Sequence, residues 1–514
     1  MEKLDATLLL NYNNLMAEAK NFIILRSTSS ILNWDMETLM PPRGISLRSL
    51  QLAQISQLHH RMVTNPKIAV LLKKITEDNK YDSLNMVQRR NVHLLKKEYD
   101  EATSLPEELV VETARQRAIT IDAWKKAKAS ENFQLFKPEL EKLVELKRKA
   151  ADLLMDVKGV ATRYDALIDI FEPKITSEVI SKTFTDLKEG LVSILQKCMS
   201  SHKQPNTSIL WRKVPIDIQK KISLLLTGFL GYDTNTKNAG GRIGETEHPF
   251  TTGYYDDVRI TTHYYENRFE SSIFSILHEG GHALYDQNLN LEWMYLPVGS
   301  TCSLGLHESQ SRFVENIIGR STEFWTYFFP KLRNLARKAF SDIALDELVF
   351  AVNRVQPSKI RIESDEVTYC LHIIIRFEIE KELMADRLCV VDLPEEWNSK
   401  YEKYLGVEIK NDSEGVMQDT HWASGLFGYF PTYALGNIYS GEILTAMEKD
   451  IPSWRNQISK GVFQEVKSWL IKNVYHYGNL YDPRDLMKKI TGEGINIQHY
   501  LNYLDRKYSN LYEY

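Results

Sequence analysis

The pattern H-E-x-x-H occurs at His278-Glu279-Gly280-Gly281-His282, inside a stretch whose apolar residues recur at helical spacing. Residues four apart on a helix lie nearly above one another, so two imidazole nitrogens can bind one metal ion at about 2.0–2.1 Å. The glutamate is rotated off that axis, where it can reach a water molecule held by the metal. Because a metal lowers the pKa of such water, a nearby carboxylate can take its proton as the water attacks a carbonyl. The pattern therefore predicts a hydrolase with Glu279 as general base.

The two glycines of this pattern argue against an idle surface helix. Glycine inside a helix costs about 1 kcal/mol relative to alanine. The chain has 13 histidines in 514 residues, and chance would produce the pattern in only roughly one such chain in fifty. We therefore expect another element to pack closely against Gly280 and Gly281.

A catalytic metal needs a third protein ligand and an open position for water. The extended H-E-x-x-H-x-x-G-x-x-H form is excluded, because Tyr285 and Asn288 stand where its last glycine and histidine would be. We expect Glu308, 26 positions after His282, as the third ligand. The competing candidates are His307, Glu315, Asp286 and Glu292, with Cys302 as a further candidate if the site is structural. Arg312, one turn after Glu308, is either a partner on a solvated face or a group that orients this ligand.

Most of the remaining sequence predicts helix. Apolar residues recur at helical spacing among charges from Pro138 to Met155, and similar patterns cover roughly residues 5–130 and 175–230. Proline-containing breaks at Met40-Pro41-Pro42 and Pro205-Asn206 interrupt them. The fold class we predict is mainly α.

A different pattern precedes the H-E-x-x-H helix. Asn238 to Arg242 predicts a flexible loop, and the alternation from Asp257 to Tyr265 predicts a strand. As an exposed edge, this strand would bind an extended peptide through main-chain hydrogen bonds. We therefore expect a small β-sheet beside the metal-binding helix.

Composition is that of an ordinary globular protein, with 43% apolar and 26% charged residues. The 64 basic and 68 acidic residues are interleaved, which favours neither a nucleic-acid nor a membrane partner. No run of about eighteen uncharged apolar residues predicts a membrane span, and Met1 to Met16 does not resemble a signal peptide. The cysteines Cys198, Cys302, Cys370 and Cys389 are far apart, as expected of reduced thiols in a cytoplasmic protein.

Further motifs follow one another along the chain. They are Trp34–Pro41, His248–Phe250, Asp257–Thr262, His278–Asp286, His307–Arg312, Arg361–Tyr369, Ile375–Glu378, Gln418–Trp422 and Gly428–Tyr433. Through these motifs nearly the whole chain resembles the thermostable carboxypeptidases of the carboxypeptidase Taq type, metal-dependent enzymes that remove single residues from peptide C-termini. Two positions depart from the family pattern: His263 replaces an arginine, and Gly280 stands where threonine is commoner.

The resemblance implies a large helical metallopeptidase with a deep active-site groove, a homodimer that acts on peptides with a free C-terminus. It implies His278, His282 and Glu308 as metal ligands, Glu279 as base, and zinc as the metal, with cobalt as the alternative. We expect one peptidase domain over residues 1–514. Within this domain, residues 1–235 approximately form an N-terminal helical portion, and residues 236–514 form the portion that carries the metal site and the substrate-binding motifs.

An exopeptidase must also recognise the terminal carboxylate of its substrate, which suits the planar fork of arginine. Arg361 is the first candidate. Arg376 is the second, although a structural ion pair with Glu380 explains it equally well.

Four more residues resemble groups that line the groove in this family and donate hydrogen bonds to substrate and oxyanion. They are His248, His421, Tyr429 and Tyr433. Their alternatives are a turn cap for the histidine before Pro249 and ordinary core positions for the tyrosines.

Two other functions remain open from the residues. Related helical peptidases with the same metal-binding arrangement are endo-acting oligopeptidases, which would cut inside a peptide. A helical binding protein with a structural metal would instead close the site with four protein ligands.

Overall fold

The computed structural model describes residues 6–514, so residue 5, where the first predicted helical stretch begins, lies outside it. The helices before the sheet are α1 (Ala6–Thr38), α2 (Ile45–Val63), α3 (Pro66–Thr76), α4 (Met86–Ser104), α5 (Glu107–Ala129), α6 (Lys137–Lys158), α7 (Arg163–Ile168), α8 (Ser177–Ser200) and α9 (Ile216–Leu230). The helices after the sheet are α10 (Phe269–Gln287), α11 (Leu304–Arg312), α12 (Thr322–Leu335), α13 (Arg337–Phe340), α14 (Leu345–Val352), α15 (Tyr369–Met384), α16 (Leu393–Leu405), α17 (Pro431–Asp450), α18 (Trp454–Ile458), α19 (Gln464–Asn473), α20 (Pro483–Thr491) and α21 (Gln498–Tyr512). The mainly α fold is confirmed.

Local signals explain several helix boundaries. The predicted helix from Pro138 to Met155 is α6, which ends where Gly159 adopts the left-handed conformation at φ 62°. Glycine ends helices in this way because it lacks the Cβ that makes this conformation unfavourable. The predicted breaks also hold, since α1 ends before Pro41 and α8 ends before Pro205.

The sheet has three strands, β1 (Gly241–Glu245), β2 (Thr251–Tyr254) and β3 (Asp257–Thr262), in the order β1-β3-β2. β1 is parallel to β3, and β2 is antiparallel to it. The predicted strand is thus confirmed, but the expectation that it forms an exposed edge is wrong, because β3 is paired on both sides. The predicted loop also ends earlier than expected, because Gly241 and Arg242 already pair with Val258 and Arg259.

Two hydrophobic cores hold the helices together. The larger contains buried residues from Ala127 to Tyr512 and includes α10, α11 and α17, which surround the H-E-x-x-H motif. The smaller lies between α1, α3 and α4. Arg90 of α4 joins the two regions, since its guanidinium donates to the Asn479 carbonyl at 2.8 Å and to Asp482 at 2.7 Å. Within residues 6–514, no helix is both long and apolar enough to cross a membrane.

Candidate active site

The H-E-x-x-H motif lies on α10, where the two glycines allow neighbouring elements to approach. A Cβ at Gly281 would lie 2.5 Å from the backbone oxygen of Gln310 and 2.7 Å from Ser311 Cα, both on α11. A Cβ at Gly280 would meet the side chain of Leu230. The close approach predicted from the sequence is therefore confirmed, and it brings α11 against α10 beside His278 and His282.

The start of α11 is fixed by two polar side chains. Ser303 caps the helix by accepting a hydrogen bond from the Leu306 N–H at 3.0 Å. The fully buried Glu172 accepts another from the Gly305 N–H at 3.0 Å. A carboxylate at a helix N-terminus is favoured by the helix dipole. These contacts set the position of Glu308 one turn later.

His278, His282 and Glu308 converge, with one ligand atom of each within 4.8 Å of the others. Glu308 Oε2 lies 3.8 Å from His278 Nε2 and 3.5 Å from His282 Nε2. Donors at 2.0–2.1 Å from a tetrahedral metal are separated by about 3.4 Å. The three side chains therefore fit a divalent metal with a position left for water or substrate.

Neighbouring groups orient two of these side chains. His278 Nδ1 lies 2.8 Å from Glu315 Oε2, so the ring carries its proton on Nδ1 and presents Nε2 to the metal. Glu315 lies in a π-helical turn, Phe313–Ile318, of the kind often found at functional sites. Arg312 Nε donates to Glu308 Oε1 at 2.7 Å, and Oε2 accepts only a longer hydrogen bond of 3.3 Å from the Ser311 hydroxyl. Because the Arg312 side chain is only 13% exposed, the alternative of a solvated ion pair is wrong.

The electrostatics of the site favour a cation. Burial opposes ionisation of Glu308 and Glu315, but Arg312 lowers the pKa of both carboxyls, that of Glu315 to about 2. Burial lowers the pKa of His282 to about 4, which keeps this imidazole in the neutral form that binds metals. Burial also opposes protonation of His278, but the Glu308 and Glu315 carboxylates raise its pKa. Two ionised carboxylates, beside one imidazole that is neutral and one whose proton a metal can displace, suit a divalent metal.

The other candidates for the third ligand either bond to another residue or lie in an environment unsuited to metal binding. His307 Nε2 lies 3.1 Å from Asp286 Oδ1, and its ring stacks on His282 with centroids 4.4 Å apart. Cys302 is buried, which raises the pKa of its thiol and disfavours the thiolate that a metal needs. Glu292 is exposed. None of these four belongs to the group that could hold a metal.

Glu279 is held by β2. Its Oε2 accepts a hydrogen bond of 2.6 Å from the Thr251 hydroxyl, and the residue as a whole is 6% exposed. Burial raises the pKa of Glu279, while His278 and Thr251 oppose that shift. A carboxylate with a raised pKa near a metal site suits a general base. Thr251 was not predicted from the sequence.

A groove with a volume of about 460 Å³ passes over these residues. Its lining includes His278, Glu279 and Glu308 together with three of the predicted substrate-binding residues, His248, Arg361 and Tyr433. The other two lie against Tyr433. His421 Nε2 is 3.3 Å from the Tyr433 hydroxyl, and the Tyr429 ring centroid is 5.3 Å from that of Tyr433.

Arg361 lines the groove in a fixed orientation. Its Nε and Nη2 donate to Asp419 Oδ1 at 3.1 and 2.8 Å, and its Nη1 donates to the Tyr369 hydroxyl at 3.2 Å. The Tyr369 ring also lies under the Arg312 guanidinium, 4.0 Å from its centre. Tyr369 therefore connects the substrate-binding candidate to the arginine that orients Glu308.

Arg376 has a structural environment. It is fully buried, and its Nη2 lies 2.6 Å from Asp419 Oδ2, so it does not line the groove. Glu380, the partner predicted for it, accepts hydrogen bonds from Trp422 and Tyr164 instead, both at 2.8 Å. The predicted pair is therefore wrong in its partner, because tertiary packing brings Asp419 to the guanidinium.

Comparison with known proteins agrees with this geometry. Residues 14–508 match the family model described as carboxypeptidase Taq (M32) metallopeptidase. The chain belongs to this family. It is 39% identical over 485 residues to carboxypeptidase 1 of Bacillus subtilis, covering 94% of this chain and 95% of that protein. It is 38% identical to thermostable carboxypeptidase 1 of Thermus thermophilus, covering 98% of this chain and 99% of that protein.

Solved structures of M32 enzymes share the whole fold. The M32 carboxypeptidase from Deinococcus radiodurans superposes with a TM-score of 0.94 at 31% identity, covering 98% of this chain and all (100%) of that one. The chain is accordingly a metallocarboxypeptidase, a metal-dependent peptide hydrolase. The predicted family, fold class and activity are confirmed.

Proposed function

We propose that His278, His282 and Glu308 hold one divalent metal, and that Glu279 is the general base for release of single C-terminal residues from peptides. The observation that carries this proposal is the convergence of the three ligand atoms within 4.8 Å, beside Glu279 and on one groove. The metal, when bound, would polarise the scissile carbonyl and acidify a water molecule.

A protein side chain transfers the proton from the attacking water to the leaving group. Glu279 accepts a proton from the attacking water and returns it to the leaving amine, since a buried carboxylate with a raised pKa can both take and release it. Its hydrogen bond from Thr251 holds the carboxylate in one orientation. The three metal ligands leave a position for the reacting groups, which a closed structural site would fill with a fourth ligand.

Arg361 binds the terminal carboxylate of the substrate in this proposal. The guanidinium uses three of its N–H groups on Asp419 and Tyr369, and a guanidinium has five. Its remaining donors are available to a carboxylate in the groove. His248 and Tyr433 donate hydrogen bonds to the peptide from the groove wall, whereas His421 and Tyr429 support that wall through Tyr433.

Zinc is the metal we propose, with cobalt as the alternative. Two imidazoles and one carboxylate form a ligand set that zinc commonly uses in hydrolases. Cobalt accepts the same nitrogen and oxygen donors. Metal content of the purified protein and activity restored to a chelated sample by each ion would decide between them.

We also propose a cytoplasmic homodimer. The four cysteines are unpaired, as expected in a reducing compartment. At the start of α2, Ile45, Leu47 and Leu50 are 49%, 63% and 69% exposed, which makes this apolar surface suitable for a subunit contact. Light scattering after size exclusion should give twice the 59.6 kDa chain mass. A double change of Leu47 and Leu50 to glutamate should give the monomer mass, whereas a monomeric unmodified protein would refute the proposal.

The activity is tested by mass spectrometry of an N-terminally blocked peptide incubated with the metal-loaded protein. Stepwise loss of single C-terminal residues is expected, and both chelation and Glu279→Gln should stop it. Glu279→Gln should still bind the metal, because Glu279 is not one of the three ligands. Internal fragments would instead indicate the endo-acting oligopeptidase, and an intact peptide would indicate the binding protein. Turnover by Glu279→Gln would refute the proposed base.

A further inference from the structure

The active-site groove continues along α10 beyond the metal ligands. Glu270, Phe274 and His278 all line it, at intervals of four residues and therefore on one face of the helix. The eight positions from Glu270 to His278 correspond to about 12 Å at 1.5 Å per residue. The groove therefore extends about 12 Å from the metal site toward the start of α10.

Three arginines and several carboxyl groups line this end of the groove. Arg268, Arg320 and Arg354 line it together with the carboxyl of Glu270. Arg268 pairs with Glu363 at 3.2 Å. Arg320 donates to the backbone oxygen of residue 352 and to the Asn316 side chain. Both of these guanidinium groups are thus held by the protein itself.

Arg354 is different. Throughout residues 6–514, its guanidinium makes no hydrogen bond and no ion pair within 4.0 Å, although it lines the groove and is partly buried. Glu270 is 8% exposed, and its Oε2 is buried without a hydrogen-bond partner. Glu270 and Asp365 both attract the Arg354 guanidinium, but neither forms an ion pair with it within 4.0 Å. Buried and half-buried charges are normally paired, so this gap indicates that a ligand supplies the missing partner.

The length of the groove limits which part of a substrate reaches this position. An extended peptide advances about 3.3 Å per residue, so about 12 Å corresponds to three or four residues. A carboxypeptidase substrate has a single residue after the scissile bond, and its terminal carboxylate lies within about one residue length of that bond. The group that meets Arg354 must therefore belong to the part of the peptide before the scissile bond.

We propose that Arg354 is a specificity residue that binds the carboxylate side chain of a substrate aspartate or glutamate three or four residues before the scissile bond. The planar guanidinium can donate two parallel hydrogen bonds to that carboxylate. Arg268 and Arg320 are already paired with Glu363 and Glu315, which leaves Arg354 as the guanidinium available to the substrate at this end. This proposal rests on the carboxypeptidase activity and adds a preferred class of substrate to it.

The test uses N-terminally blocked alanine peptides with one glutamate placed two, three, four, five or six residues before the scissile bond. Each is compared with a peptide that has glutamine at the same position. A charge-assisted hydrogen bond should give about a tenfold preference for glutamate in kcat/KM. The preference should be confined to the third or fourth position and should appear mainly in KM, because a remote subsite binds ground state and transition state alike.

Variants of Arg354 test whether this residue causes the preference for glutamate. Arg354→Gln should bring the glutamate-to-glutamine ratio close to one, and Arg354→Lys should retain part of it, since lysine keeps the charge without the fork. Arg387→Gln is the matched control, because Arg387 is paired with Glu382 on the surface and lies outside the groove. It should keep the full ratio.

A ratio near one at every position, equal ratios at every position, or a ratio that survives Arg354→Gln would each overturn the proposal. Should Arg354→Gln fail to fold, the dependence on position in the unmodified protein and the partial ratio of Arg354→Lys still decide. Failure of the activity itself is distinguishable, because the glutamine peptides would then also stay intact.

Discussion

Replacing Gly281 with alanine tests whether the contact between α10 and α11 sets the metal site. The added Cβ would lie 2.5 Å from Gln310 O and 2.7 Å from Ser311 Cα, whereas ordinary contact begins at 3.4 Å. Both obstacles are backbone atoms, so no side chain can turn away to make room. The two helices must separate by about 0.9 Å at this point.

This separation acts directly on the proposed metal ligands, because His278 and His282 lie on α10 and Glu308 lies on α11. Metal–ligand distances tolerate only about 0.2 Å. We expect zinc affinity to fall about 10- to 100-fold, the range seen when groups that support ligands are lost. Overpacking costs about 1–3 kcal/mol, and alanine recovers about 1 kcal/mol through its helix propensity. The metal-free protein should therefore lose at most about 2 kcal/mol.

Competition with a chromophoric chelator measures the zinc affinity, and thermal unfolding with and without metal measures the stability. Gly228→Ala is the matched control, because Gly228 also lies in a helix and an added Cβ there has no neighbour within 4 Å. Gly280→Ala should have an intermediate effect, since its Cβ meets only the movable Leu230 side chain. If Gly281→Ala binds zinc as tightly as Gly228→Ala, helix contact does not set the ligand geometry and the reasoning is refuted.

Three further changes test the groups around the site. Thr251→Val removes the 2.6 Å hydrogen bond to Glu279 and should lower kcat by about tenfold; metal affinity should not change, and a normal kcat would contradict the role of Thr251. Arg312→Lys loses the Nε–H that fixes Glu308, so a chelator titration should show zinc bound about 10- to 100-fold more weakly. Burial raises the pKa of Glu172 to about 7 from an ordinary 4.5. The native state therefore keeps this proton to higher pH than the unfolded chain does, and stability is lost as pH rises from about 4.5 to about 7. Relative to Glu172→Gln, the unmodified protein should lose about 3 kcal/mol over this window in urea unfolding; parallel pH profiles would exclude the shift.

The two histidines and Glu279 were predictable because a helix fixes their relation locally. The spacing of four residues alone places both imidazoles on one face. The third ligand required more than local spacing, since five other residues had suitable chemistry and Glu308 was chosen as a carboxylate from a following helix, a choice that the family resemblance then supported. The positions of Glu308 and its competitors follow from the crossing of α10 and α11. The glycine pair predicted a close contact on α10 but not which helix makes it.

Long-range pairing explains what the sequence did not reveal. β1 is short and glycine-rich, with no alternation of apolar residues. It pairs in parallel with β3, although β2 lies between these two strands in the chain. The partner of Arg376 lies 43 positions away in the chain, whereas the predicted partner Glu380 was one helical turn away. A buried arginine takes the nearest carboxylate in space, which only tertiary packing determines.

The roles proposed for Arg361 and Arg354 divide substrate recognition between two parts of the groove. Every substrate of a carboxypeptidase carries a terminal carboxylate. Because Asp419 and Tyr369 already hold the Arg361 guanidinium in place, ordering this side chain does not cost entropy at each turnover. Side chains farther along the peptide differ between substrates. A guanidinium without protein partners there binds an acidic side chain when one is present, and it does not oblige neutral peptides to break an existing ion pair. The same enzyme can then trim many peptides while trimming acidic ones more efficiently.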